Sequence, residues 1–162
     1  MLRNSILNVR HKELGSLLNG DTWNNMPIPW SYKSDADEEV IAVRTRAGLY
    51  DVSALNILNV SGPDATAVVD QLVTIDVTKM EPGTSRLAAE VDETGALCDD
   101  IMVICDAPNQ FRLSHGSGAT PQQLEKLSQG KNVQIAADLD VHILSLQGPK
   151  SLEVLNPHLD FD

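Results

Sequence analysis

Residues 86–105 read RLAAEVDETGALCDDIMVIC. Two runs rich in strand-forming residues, Arg86–Val91 and Leu97–Cys105, flank the short polar stretch Asp92-Glu93-Thr94-Gly95. A loop of this length ending in glycine predicts a β-hairpin. Downstream, Asp106 to Asn109 reads as a turn and Gln110–His115 as a third strand. Upstream, Leu55–Val60 reads as a strand that ends in Ser61-Gly62-Pro63. Ala65, Val68, Val69, Leu72 and Val73 then follow at the i, i+3, i+4, i+7, i+8 spacing of a helix with one apolar face. Farther on come a helix over Pro121–Ser128, strands over Val133–Ala137 and His142–Leu146, and a helix carrying Leu152 and Leu155. The sum predicts an α+β fold: a mostly antiparallel sheet with helices on one face. The unit strand–Gly–Pro–helix occurs twice, at Gly62 and at Gly148, as an internal echo.

The N-terminal third reads differently. A helix is expected over Ser5–Leu18, with Leu7, Leu14 and Leu18 on one face and His11 between them. Asn19 to Tyr32 reads as a loop holding Trp23 and Trp30, either as anchors of the loop itself or as walls for a planar ligand. Ser34 or Asp35 can cap a second helix running to about Arg46, with Val40, Val43 and Ala47 as its buried stripe and Gly48 as its stop.

The chain has 162 residues and a formal net charge of −11. Residues 1–50 are neutral, so the whole excess lies in residues 51–162. No basic stripe exists, which argues against a nucleic-acid binder that tracks phosphates. No apolar run approaches the roughly 20 residues of a membrane span. The N-terminus MLRNSILNVRHK is basic but lacks the apolar core of a secretory signal. The expected compartment is the cytoplasm, with the mitochondrial matrix as the weaker alternative. Cys98 and Cys105 are separated by an odd number of residues, which places them on opposite faces of a strand, and both are expected as reduced core thiols.

Asp99-Asp100 is the most unusual local feature. Asp is depleted in strands, and alternation sends one of the two into the layer of its apolar neighbours. A carboxylate there needs donors or a cationic partner. Parity leaves open which one it is: Asp99 shares a face with Ile101 and Val103, Asp100 with Met102 and Ile104. The surrounding acids do not form a calcium loop, because an EF-hand with its glycine at Gly95 would need a carboxylate at Ile101. The four histidines show no zinc spacing, and no metal site is expected. Ser114-His115-Gly116-Ser117-Gly118 reads as a strand end with flexible glycines. Neither a GxSxG elbow nor a P-loop is present.

Read in order, several segments resemble the aminomethyltransferase family, which comprises the T-protein of the glycine cleavage system and folate-dependent demethylase relatives. They are Ala42-Val43-Arg44-Thr45-Arg46-Ala47-Gly48-Leu49-Tyr50-Asp51-Val52-Ser53; Val60-Ser61-Gly62-Pro63-Asp64-Ala65; Pro82-Gly83; Gly95-Ala96-Leu97-Cys98-Asp99-Asp100-Ile101-Met102-Val103; and Leu146-Gln147-Gly148-Pro149. Met26-Pro27 falls where the family has W.MP.

The resemblance implies a ferredoxin-like folate-binding region, incomplete in this chain, and tetrahydrofolate as cofactor. It implies transfer of an aminomethyl or methyl group, from a lipoyl carrier protein or a small-molecule one-carbon donor, to the folate N5. The second Asp of the pair carries the family's key carboxylate, so Asp100 would face the cleft and Asp99 the other side. Such a carboxylate can accept hydrogen bonds from the pterin and stabilise positive charge on the transferred carbon. Leu55 stands where the family has a Met lining the folate pocket, Ala54 where it has His, Leu87 where it has Tyr, and Gly116 near an Asn. These departures leave room for a relative that takes methyl from a sulfur, oxygen or nitrogen donor, or for a folate-binding or protein-interaction module without chemistry.

Family members run to more than twice this length. The resemblance therefore implies three segments: residues 1–50 as the start of the first domain, 51–138 as the central folate-binding region, and 139–162 as a truncated return. It also implies a missing C-terminal half or partner chain, without which these residues would be inactive.

Overall fold

The computed structural model describes residues 2–116 and 118–159. In chain order the elements are α1 (Asn8–Glu13), β1 (Thr22–Trp23), β2 (Met26–Pro27), α2 (Ala36–Thr45), β3 (Gly48–Asp51), β4 (Asn56–Ser61), α3 (Ala65–Leu72), β5 (Thr84–Val91), β6 (Leu97–Ala107), β7 (Gln110–His115), α4 (Thr120–Leu127), β8 (Gln134–Asp138), β9 (Leu144–Gln147) and α5 (Ser151–Leu155). They fall into two units, one made of Met1–Ala54 and His142–Asp162, the other of Leu55–Val141.

The unit of residues 55–141 is a five-stranded sheet in the order β5-β6-β7-β4-β8, every neighbouring pair antiparallel. The run β6-β7-β4-β8 has the strand order of a ferredoxin-like split β-α-β fold, with β5 added at the edge. Alternation along the strands sorts the side chains. Ile101, Val103 and Cys105 of β6 meet Leu113 and Phe111 of β7 and Leu58 and Val60 of β4 in the core. The stripe read from sequence on α3 covers them, with Ala65, Val68 and Val69 fully buried and Leu72 and Val73 nearly so, and α4 adds Leu124. Each such Val or Leu contributes about 2 kcal/mol by leaving water. The helices therefore lie on one face of the sheet. On β6 the odd separation puts the cysteines on opposite faces, so only Cys105 is a core thiol and Cys98, expected in the core, is exposed.

Gly62 closes β4 with φ +124°, and a Cβ there would lie 2.6 Å from the Asn132 carbonyl oxygen. Gly148 does the same after β9: its φ is +117°, and a Cβ would meet the carbonyl oxygens of Val43 and Arg46 at 2.6 Å. The echo seen in sequence is thus one backbone solution used once in each unit.

The unit of residues 1–54 and 142–162 departs more from expectation. The first helix spans only Asn8–Glu13, and its buried residue is His11 rather than a leucine. The loop carries a small hairpin, β1 with β2, turned by Asn24 and Asn25 at positive φ (48° and 62°). Asp35 caps α2 by accepting from the Asp37 and Glu38 amides. None of the residues of α2 is buried: Val40 is 59% exposed, and among the described residues no element of this unit covers that face. Gly48 does not merely stop the helix. It opens β3, which pairs antiparallel with β9.

Candidate functional site

The hairpin β5–β6 resolves the parity question. Asp99 lies on the helix-covered face, its side chain 9% exposed, and Asp100 lies on the opposite, solvent face. Asp99 has the donors a carboxylate needs there. Its Oδ2 accepts from the backbone N–H groups of Gly116 (3.1 Å) and Gly118 (3.0 Å), and its Oδ1 from the Asp100 amide (2.9 Å). The glycines read as flexible punctuation have a different reason: a Cβ would sit 3.0 Å from Asp99 Oδ1 at Gly116 and 2.8 Å from Oδ2 at Gly118. Ser117 of that segment lies outside the described residues.

Around Asp99 the core carries a polar cluster that no spacing announced. Glu90, opposite Asp99 across the hairpin, is buried and accepts from the Thr120 hydroxyl at 2.5 Å. His115 is buried with Nδ1 3.8 Å from Asp99, too far for a hydrogen bond. Neither of its ring nitrogens, nor Glu90 Oε1, has a partner. Burial pushes the His115 imidazole below its ordinary value, and the Asp99 charge opposes this without overcoming it.

Asp100 stands on the face opposite the one that α3 and α4 cover. Ala89 is its partner across the hairpin, and the next outward pair is Leu87 with Met102, 63% and 37% exposed. Leu55, half-buried, precedes β4 by one residue. Asn56 and Ile101 both pair with His115, so Leu55 and Asp100 sit at the same level of the sheet with β7 between them. Two ordinary strand spacings put them about 10 Å apart. That face thus presents the exposed Asp100 carboxylate beside the exposed side chains of Leu87 and Met102. An exposed carboxylate can accept from the N–H groups of a pterin, and Leu87 and Met102 offer a flat apolar surface to its ring. The residues present fit one wall of a folate site. Among the described residues, no group of three His, Cys, Asp or Glu side chains is arranged to hold a metal ion, and no helix is long and apolar enough to cross a membrane.

The second unit holds a polar centre that sequence reading missed. Asp51, at the end of β3, accepts from the Ser5 hydroxyl, from the Ser53 amide (3.0 Å) and from His11 Nε2 (2.8 Å). The far nitrogen of that ring, Nδ1, lies 2.8 Å from the Tyr32 hydroxyl. The Asp51 and His11 side chains are 4% and 6% exposed. Burial alone would push the Asp51 carboxyl up, but the hydrogen bonds from Ser5, Ser53 and His11 outweigh it and hold it below its ordinary value. Forty residues separate His11 from Asp51, so no local pattern could have joined them.

The family model described as GCVT N-terminal domain matches residues 8–162. The heme-dependent oxidative N-demethylase gamma subunit of Ectopseudomonas mendocina is 41% identical over 97% of this chain and 41% of its own length. An aminomethyltransferase of Streptomyces coelicolor is 28% identical over 99% of this chain and 44% of its own. Among solved structures, the glycine cleavage system aminomethyltransferase T of Bartonella henselae superposes with a TM-score of 0.84 at 26% identity, over 97% of this chain and 44% of that one. The chain spans less than half the length of the relatives it matches.

Proposed function

Because the chain belongs to the GCVT N-terminal domain family, we propose that it is the N-terminal part of a tetrahydrofolate-dependent one-carbon transferase in which Asp100 is the carboxylate facing the folate. One observation supports this reading: of the two adjacent aspartates, Asp100 is the exposed one, on the sheet face opposite α3 and α4, beside exposed Leu87 and Met102. Tetrahydrofolate, when bound, supplies the amine that takes up the one-carbon unit. Asp100 would accept hydrogen bonds from the pterin, orient it, and stabilise positive charge developing on the transferred carbon. Asp99, with three backbone donors, acts as a structural anchor that fixes the strand end carrying Asp100. Leu87, Met102 and Leu55 would hold apolar surface. A lipoyl carrier protein, as donor of an aminomethyl group, is the partner this reading implies, and the cytoplasm is its proposed compartment.

A second donor is favoured by the 41% identity to an N-demethylase subunit. Here the one-carbon unit comes from an N-methyl amine, and this chain takes part in passing it to folate. The test is calorimetric titration of the intact protein with tetrahydrofolate. Asp100→Asn is expected to weaken binding about tenfold, equivalent to about 1.4 kcal/mol; unchanged affinity and turnover reject the assignment. Turnover with an aminomethyl-loaded lipoyl carrier, or only with an oxidised N-methyl amine, distinguishes the donors.

A further inference from the structure

Three backbone N–H groups converge on one carboxylate at the edge of the core. Asp99 Oδ2 accepts from the Gly116 and Gly118 amides at 3.1 and 3.0 Å, and Oδ1 from the Asp100 amide at 2.9 Å. A carboxylate oxygen offers about two lone-pair sites, so two donors fill Oδ2. His115 Nδ1 lies 3.8 Å from that same oxygen, about 1 Å beyond a charge-assisted hydrogen bond. The ring is 2% exposed, and neither of its nitrogens has a partner. Nothing in the folate reading uses this imidazole.

The surroundings of the ring decide what a proton on it does. In register beside His115 stand Ile101 of β6 and Asn56 of β4, neither of them charged. The buried residues of α3 are apolar. From α4 comes Thr120, whose hydroxyl donates to Glu90 of β5. Glu90 and Asp99 are thus the acids on this face, and no Lys or Arg side chain is buried with them among the described residues. Asp99 is the charge that acts on the ring, and it favours the imidazolium. An imidazolium donates from both nitrogens. A buried charged donor left without an acceptor costs more than a neutral amide bond is worth. Asp99 Oδ2 is the acceptor a small movement brings to Nδ1, and a third donor at that oxygen displaces the other two.

We propose that His115 is a proton-operated latch on Gly116 and Gly118: on protonation its Nδ1–H takes Asp99 Oδ2 from the two glycine amides, freeing them and shifting the backbone at Asp100. The step moves one proton from solvent to the ring and breaks no covalent bond. Oδ1 carries the movement to the Asp100 amide. Acidification through the His115 titration therefore loosens the strand end that presents the Asp100 side chain on the other face. The inference does not rest on the folate reading, because its readout needs no ligand.

The test is NMR of the intact protein titrated from pH 8 to 4. His115 is followed through its ring C–H protons, and Gly116, Gly118 and Asp100 through their amides. The three amides are expected to shift with one midpoint, equal to that of the ring. Below it, protection of Gly116 and Gly118 against exchange is expected to fall about tenfold further than that of Leu113 in the core. His115→Gln, which cannot take the charge, is expected to abolish the common step; where that variant fails to fold, the wild-type comparison decides. Amide steps that are absent, or whose midpoint differs from the ring's, overturn the latch, as does a ring that stays neutral down to pH 4. Steps that persist in folded His115→Gln belong to Asp99's own titration and overturn it equally.

Discussion

Within residues 55–141, side chains without polar atoms fill the interior from β6 across β7 to β4, and polar groups are confined to one end, around Asp99 and Glu90. The unit of residues 1–54 and 142–162 has the opposite composition. Met26 and Ala54 are its buried apolar residues among those described, and its centre is Asp51 with His11, Ser5 and Ser53. Its leucines and valines are largely outside: Leu17, Val9, Leu152 and Ile41 are each at least 60% exposed. An apolar interior holds many interchangeable contributions. A hydrogen-bonded interior is specific, and each partner is needed by the others.

The largest expected effect is on the polar centre. Asp51→Ala strands the Ser5 hydroxyl, the Ser53 amide and the His11 ring, and is expected to cost about 3–5 kcal/mol, as breaking a buried ionic hydrogen-bond set does. Amide hydrogen exchange should show the loss in residues 1–54. If protection there is unchanged, the polar centre is not what holds the unit. Leu113→Ala removes a fully buried side chain from the middle of the sheet. It is expected to cost about 3 kcal/mol, read in the exchange of β6 and β7, and a much smaller value would show that the apolar interior closes over the gap.

The smallest effect is on pH dependence, where the two centres separate. His115 titrates below 6.5 in the folded state, so unfolding takes up a proton first. Its contribution is full above about pH 6.5 and is lost as pH falls through the lower folded value. Asp51 also titrates below its ordinary 3.8, so its contribution persists until the solution is more acidic than about pH 4. Lowering pH from 7.5 to 5 should therefore weaken residues 55–141, the Asp99 charge opposing the loss, while the Asp51 contribution in residues 1–54 stays. His115→Gln should remove that step. Loss in residues 1–54 over the same range would reverse the comparison.

The same contrast governs how much could be read from sequence. The α3 stripe, the β5–β6 hairpin and the limits of β7 were legible because period and turn chemistry are local and the apolar interior rewards them. Asp99 and Asp100 were not separable by parity, since each shares its alternation with two apolar residues; the Gly116 and Gly118 amides, just past the end of β7, receive the one that turns inward. In the other unit the pattern misled. Val40 looked buried because it is apolar at helical spacing, yet among the described residues nothing in its unit covers it. His11, Tyr32 and Asp51 meet only after the chain has folded three separate segments together, so spacing could not join them. The hairpin β1–β2 is two residues a side, too short for alternation to register.

Cys98 and Cys105 lie on one strand, one outward and one inward. Folded protein offers a single thiol to an alkylating reagent, and global opening of the sheet offers two. Counting labels per chain therefore follows the opening of this sheet with no engineered dye. Cys98 shares its alternation with Asp100, so a spin label or fluorophore placed there reports on arrivals at that carboxylate's face. Desolvation, and after it the neighbouring acids Asp92, Glu90 and Asp99, raises the Cys98 thiol above its ordinary value. Labelling should consequently be slow near neutrality and quicken toward alkaline pH, and a bound cation beside those acids would quicken it further.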